Sequence, residues 1–600
     1  MRPAPFIHRL VGAALLLAAA AGAARGAGYT ALKPMAIVSF ASHDHVMQRA
    51  GLGFQGIGMP EGAEAFRRQF EALLLVPGAD GIDRFKPGHI FLLSPDPPDA
   101  LPFLAALLPV ADGNGATLLA SLRRAYGAVE RHSGVTTCAA PVDPAAPPRL
   151  AVAIAERHAL VASRVDGVRW LARHRRDRTL PRAGLPREPL RLTADGPLLG
   201  LFLQLFASLS PAAPPPAGTV RLFDINHHLN ALGDLLSAFS TVDIGLDGGI
   251  RAFSATLQLN APTNSPLAAR IRALEPPAPA FDRPLGADPL NASVDSLPAL
   301  LADLPASAIP WVEELAEATQ LVGLRIAPRM PGWLKLLQPV GSGQVAHALI
   351  RAPRGAGLCS VQRFAFADAR RAAAALGLLE PLLPAPGAGG GLLPLVPRQS
   401  GPHRIIGYRI DDAPSTNRTA IGTFGDVATR LLLLNTVEIA SLGNELIVVR
   451  GPSGTLDEWL AQPPEPRGGP SLLDQARREF SDLLPGETLV GAGLAAPIET
   501  LRAAMAAMPG LSEHLSALPI PGDAFRWRVI RRDASLAWRI QFPANELMAC
   551  RQLRELDTAV LQEMLSNYVL DQFGRAATER SEKEMLKERL QRLGKPRDDG

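Results

Sequence analysis

Two sub-patterns each occur twice in this protein, and that repetition limits what it can fold into more than any other feature. From Val152 the sequence reads VAIAERHALVASRVDGVRWLA, and from Val437 it reads VEIASLGNELIVVRGPSGTLDEWLA. Each has a β-rich run, a polar turn, a second β-rich run, a Gly-containing break and a helix carrying Trp. Trp170 and Trp459 fall in the same slot, each followed by Leu-Ala. The turns, Glu156-Arg157-His158 and Leu442-Gly443-Asn444-Glu445, suit hairpins. Upstream, 108–122 parallels 364–378. In both a strand ends in Ala-Asp before a helix, which puts Asp112 and Asp368 where an N-cap carboxylate accepts first-turn amide protons. A second sub-pattern, strand–helix–strand–strand–helix, spans 220–274 and 489–556. Its two copies close on LQLNAPTNSPLAARIRAL and IQFPANELMACRQLREL.

These matches divide the sequence into four units in the order A–B–A′–B′, with unit A at 30–176, B at 217–275, A′ at 290–462 and B′ at 487–556. The Arg/Pro-rich 177–216, the EPPAPAFDRP run after 274 and the PPEPRGGP run after 462 read as connectors, because closely spaced prolines stop helices and sheets. The element order predicts an α+β fold: tandem duplicated units of antiparallel sheet with helices on one face. After 556, Val560, Leu561, Met564, Leu565, Tyr568, Val569 and Phe573 recur at helical spacing, and charged residues follow. Segment 557–600 is therefore expected to be a C-terminal helix with a charged tail.

The N-terminus has the parts of a secretory signal. Arg2, His8 and Arg9 precede an apolar run at 10–21, and Ala21-Gly22-Ala23 offers small residues for cleavage. Residues 1–24 are read as a signal peptide, with cleavage also feasible up to 27. Export to the periplasm or the exterior follows. No later segment reads as membrane-spanning; the most apolar, 197–210, is too short and reads as a buried helix. Cys138, Cys359 and Cys550 are far apart and lack zinc spacing. Three buried thiols is the leading reading, with a Cys138–Cys359 disulfide as the alternative.

Candidate chemistry is sparse. His43-Asp44-His45 after the first strand is an HxH of the kind that ligates catalytic metals, but its natural continuation is missing: Met47 and Gln48 follow. Gly51, Gly53 and Gly56 spell GxGxxG, yet not directly between a strand and a helix, as a dinucleotide site requires. His227 and His228 are adjacent on a predicted helix and diverge. The densest charge feature is the arginine run Arg169, Arg173, Arg175, Arg176 and Arg178, a candidate anionic-ligand patch. Only six of the 61 basic residues are lysine and the formal net charge is +4, so arginine richness reads as coding bias. General nucleic-acid binding is not expected.

The closing motif at 160–171 and 446–460, with a weaker echo in Gly81-Ile82-Asp83 before Pro87, resembles exported bacterial proteins built from repeated α+β units. That class carries no assigned catalytic residues, so the resemblance implies none here. The expectation is an exported, non-enzymatic scaffold or binding protein of the periplasm or cell surface. It has no cofactor, and its partner is an envelope component or another protein. The alternative is an exported metal-dependent hydrolase using His43 and His45.

Overall fold

The computed structural model describes residues 31–76, 80–96, 102–142, 149–180, 188–209, 225–278, 289–297, 300, 343–351, 358–382, 392–410, 436–461, 472–479, 483–505 and 524–555. The signal segment 1–24 and the C-terminal segment 557–600 lie outside these residues.

The first half runs β1 (Ala31–Phe40), α1 (His43–Gly56), α2 (Pro60–Leu73), β2 (Gly88–Asp96), β3 (Phe103–Pro109), α3 (Ala116–Ala125), β4 (Tyr126–His132), β5 (Val135–Pro141), β6 (Arg149–Ala155), β7 (His158–Ala162) and α4 (Val165–Arg176). It continues with β8 (Leu190–Asp195), α5 (Gly196–Leu209), α6 (Ile225–Ser237), β9 (Thr241–Gly248), β10 (Ala252–Asn260) and α7 (Pro266–Ala273). The second half runs β11 (Asn291–Asp295), β12 (Gln344–Arg351), β13 (Leu358–Ala365), α8 (Ala369–Leu379), β14 (Leu392–Pro394), β15 (Arg398–Ser400), β16 (His403–Ile410), β17 (Thr436–Leu442), β18 (Glu445–Gly451) and α9 (Thr455–Ala461). It ends with α10 (Leu472–Glu479), β19 (Glu487–Ala495), α11 (Pro497–Met505), β20 (Phe525–Arg532), β21 (Ser535–Pro543) and α12 (Ala544–Glu555).

The class is mixed, with an antiparallel sheet, but the sheet is one large structure rather than a set of small units. The pairings give the strand order 4-5-6-7-3-2-1-8-9-10 in the first half. In the second half the corresponding order is (14,15)-16-17-18-13-12-11-19-20-21. The last strands of the two halves pair antiparallel along their full length, Ala252 opposite Pro543 and Asn260 opposite Ser535. Backbone bonds from Ala261 N–H to Ala534 O (3.0 Å) and from Ala544 N–H to Arg251 O (2.8 Å) extend this seam at both ends. The segment expected as a connector, 177–216, supplies β8 inside this sheet and the helix α5 beside it.

Helices cover both faces rather than one. On the back face, α1, α2 and α3 close a core around Phe40, Ile90, Leu108 and Val161. On the front face, α4 closes another around Phe91, Phe103, Leu160 and Trp170. Strand alternation sends Val161 back and Leu160 forward, so strands buried on both sides read as continuous apolar runs. The second half repeats the layering: α8 covers Phe364, Ile406 and Ile439 behind, and α9 and α10 cover Val361, Ile447 and Val449 in front. At the seam the back core joins both halves, with Leu203, Leu229 and Leu259 beside Val529 and Leu536.

Asp368 caps α8 by accepting from Arg371 N–H (2.8 Å), and Asp112 accepts from Gly115 and Thr117 N–H ahead of α3. Glu156 and Arg157 both take left-handed φ (45° and 65°), a tight hairpin turn between β6 and β7. The GxGxxG glycines lie inside α1. A Cβ on Gly56 would come within 2.5 Å of Ile250 O and one on Gly53 within 3.3 Å of Gly248 Cα, so these two glycines let the helix press on the β9–β10 turn, whereas Gly51 faces open space. The segment 197–210 falls largely in α5, where Leu203 and Ala207 are buried. No helix among the described residues is long and apolar enough to cross a membrane. Cys138 and Cys359 are free, buried thiols in separate cores, which excludes the disulfide between them.

Candidate functional site

The histidine pair does not converge. His43 is the first residue of α1 and is buried at 3 % exposure, with Nδ1 3.0 Å from Asp44 Oδ1 and Nε2 3.5 Å from Glu71 Oε1. His45 is exposed. Two residues along a helix is a turn of about 200°, so the rings leave opposite sides. Among the described residues, no three His, Cys, Asp or Glu side chains form a group able to hold a metal ion. His227 and His228 lie on α6.

The arginine run divides. Arg175 turns inward, with Nη2 3.2 Å from Glu156 Oε2 and 3.1 Å from His158 Nδ1. Burial, followed by weaker contributions including Arg175, holds the His158 pKa below the ordinary imidazole range. Arg169, Arg173, Arg176 and Arg178 are exposed.

A third feature has no counterpart among the motifs that the sequence offers. Front helices pack on β3 and β5–β7 at one side, and on β11, β18 and β19 at the other. Between them, no helix among the described residues packs on the front of strands β8, β9, β10, β21 and β20, which form the floor of a trough about 25 Å wide at the usual strand spacing, with Arg528 of β20 buried on that face. Inside the end pair Ala252 and Pro543 the seam strands alternate, with Ala537, opposite Gln258, the one apolar side chain they turn to the front. In β10, Phe253, Ala255, Leu257 and Leu259 face the back, while Ser254, Thr256, Gln258 and Asn260 face the trough. In β21, Leu536, Trp538, Ile540 and Phe542 face back, while Ser535, Arg539 and Gln541 face front. This period-two polar pattern in 252–260 and 535–543 was the available signal.

The floor is a connected hydrogen-bond network. Asp243, 6 % exposed, accepts from Thr193 Oγ1 (2.5 Å), Arg191 Nε (3.2 Å) and Asn260 Nδ2 (3.1 Å). Asn260 Nδ2 also donates to Thr241 Oγ1 (2.8 Å), and its Oδ1 accepts from Gln258 (2.8 Å) and, across the seam, from Ser535 (2.6 Å). In the second half, Arg539 lies 3.6 Å from Glu487. At the first-half bank, Ser39, cross-strand from Arg191, pairs its hydroxyl with His89 Nδ1 at 2.9 Å. Burial, and secondarily the nearby His158, lowers the His89 pKa. Asp243 takes bonds from three side chains on the two strands that flank its own and so orders the floor.

One other constellation looks chemical. On the back of the second half, His347 Nε2 lies 3.2 Å from Ser360 Oγ. Both side chains are buried, and burial pushes the histidine pKa down to about 4. A base so weak, sealed beneath the surface, makes this a packed hydrogen bond and not an activated nucleophile.

No protein-family model, curated protein or solved structure matches this sequence.

Proposed function

We propose that the protein is an exported, non-catalytic binding scaffold, formed by tandem duplication of one α+β unit and active through the front trough. The observation that carries this is the polar floor shared by both halves: a broad, hydrogen-bonding strip in which Arg191 pairs with Asp243 and Arg539 with Glu487. Such a surface suits an extended partner held by many modest polar contacts, an envelope component or another protein. The duplication is supported by the recurrence of the same strand order, with α3 and α8 in matching places behind and α4 and α9 in front. The metal-dependent hydrolase reading gains nothing from His43 and His45, whose rings diverge.

The test places photo-cross-linking residues at Thr256 and Gln541 on the floor, and at the exposed Arg68 on α2 behind, in cells that make the full protein. A discrete adduct common to both floor positions and missing from Arg68 is expected. Adducts alike at all three positions, or none on the floor, would overturn the trough reading. Recovery of the protein from the cytoplasm alone would overturn export.

A further inference from the structure

The arginine stripe on α4 stands apart from the trough floor and calls for its own account. Residues 169, 173 and 176 are spaced by four and three, so their side chains leave the helix within an arc of about 60°. The opposite arc is pinned to the sheet. Trp170 donates from Nε1 to Leu32 O at 3.0 Å and meets Phe91 edge-on at 5.6 Å, and Gly167 is so close that a Cβ would lie 2.8 Å from Ala162. The stripe is therefore held outward on a fixed support. Arg169 and Arg176 are 69 % and 78 % exposed, near Asp166 (4.0 Å) and Asp177 (3.2 Å). Arg173 makes no ion pair among the described residues, and Arg178 follows at left-handed φ (54°) where the backbone leaves the helix.

Basic residues near a helix C-terminus are favoured by the helix dipole, so the stripe could be structural alone. The molecule contains its own control. Helix α9 occupies the same place after a hairpin on the front face and carries Trp459 in the Trp170 slot, with Glu458 where Arg169 stands. The fold does not need arginine at that first position of the stripe.

We propose that the α4 stripe docks a linear polyanion, a polymer whose anionic oxygens recur every several ångströms. Steps of four and three residues set the guanidinium groups about 6 and 4.5 Å apart along the helix axis. Each presents a fork that binds phosphate, sulfate or carboxylate through two N–H groups. Trp170 is buried at 8 % exposure, so the stripe offers no aromatic face for base stacking, which argues for a polymer without bases over single-stranded nucleic acid.

The experiment titrates the full protein with long-chain polyphosphate and with heparin over a salt series. It compares wild type, R169Q/R173Q/R176Q, and a control of equal charge loss at the exposed positions Arg68, Arg124 and Arg371 (R68Q/R124Q/R371Q). With about 0.7 counterion released per phosphate contact, the stripe variant should lose about 2 from its log–log salt slope and at least about tenfold in affinity at low salt. The control should stay within about twofold of wild type. Binding of one probe only identifies the oxyanion preferred and supports the proposal. Equal losses in the two variants, no binding by wild type at low salt, or single-stranded DNA bound as tightly as either probe would overturn it.

Discussion

Asn260 uses both amide hydrogens and both carbonyl lone pairs, bonding to Asp243, Thr241, Gln258 and, across the seam, Ser535. Asn260→Asp keeps the shape and replaces the donor facing Asp243 with an acceptor. A second carboxylate at 3.1 Å would repel the first by about 5 kcal/mol at an effective dielectric constant near 20. Protonation offers an escape: holding a carboxyl of ordinary pKa neutral at about pH 7 costs about 4 kcal/mol. The smaller figure sets the penalty, less what Arg191 screens. The substituted site thus has a carboxyl pKa raised above its unfolded value. Its destabilisation is largest well above about pH 4 and fades towards about 1 kcal/mol as pH falls to about 4.5. Urea unfolding at both pH values, followed by tryptophan fluorescence, reports on the seam because Trp527 and Trp538 pack against its back core. Asn260→Ala, which adds no charge, is the reference and should cost about 1–3 kcal/mol at either pH. An Asp variant that matches the Ala variant at both pH values would refute the reasoning and the Asn260–Asp243 contact with it.

The buried His347, held at about 4, refuses a proton that the unfolded state takes up near the ordinary imidazole value. Its contribution of about 3 kcal/mol is complete above about pH 6.5 and is lost as pH falls towards 4. His347→Gln should flatten that part of the stability–pH curve, and an unchanged slope would count against it. Helices α5 and α6 meet backbone to backbone, since a Cβ on Gly200 would lie 2.4 Å from Gly233 O. Gly200→Ala should therefore cost about 1–3 kcal/mol, and a wild-type melting temperature would contradict that crossing. Burial raises the Cys138 thiol pKa and pushes that of Cys359 up to about 12. Thiol reagent near pH 8 should leave both unmodified until the protein unfolds, and rapid labelling of either in the native state by peptide mapping would be the contrary result.

The parts legible in the sequence were those specified by neighbours. The β6–β7–α4 and β17–β18–α9 runs follow from apolar blocks and polar turns, and Asp368 declares its cap locally. The seam was not legible, because β10 and β21 are separated by more than 270 residues and no local signal states which edge a strand will meet. Strand β8 was hidden by its surroundings: LRLTAD sits among arginines and prolines that read as a connector. The one-face expectation failed because β3 and β7 alternate between two cores, and a residue run apolar on both sides does not say where the second helix layer comes from. At the candidate sites, the HxH spelling drew attention while the plainer alternation of polar residues in β10 and β21 carried the organised surface.

In the seam, each strand contributes nine residues, and Thr256 meets Arg539 at the midpoint. Each position in one strand therefore faces its mirror-numbered counterpart in the other, the arrangement found where two identical subunits meet about a two-fold axis. The halves are held together by this union and its back core, not by the tether that links α7 to β11. A cut within 276–289 should leave two fragments still associated. Either half made alone would bare a nine-residue strand edge, with tryptophans beside it in the second half, and such an edge invites the wrong partner. Carrying both halves on one polypeptide keeps each edge at a high effective concentration of its mate once both have been made.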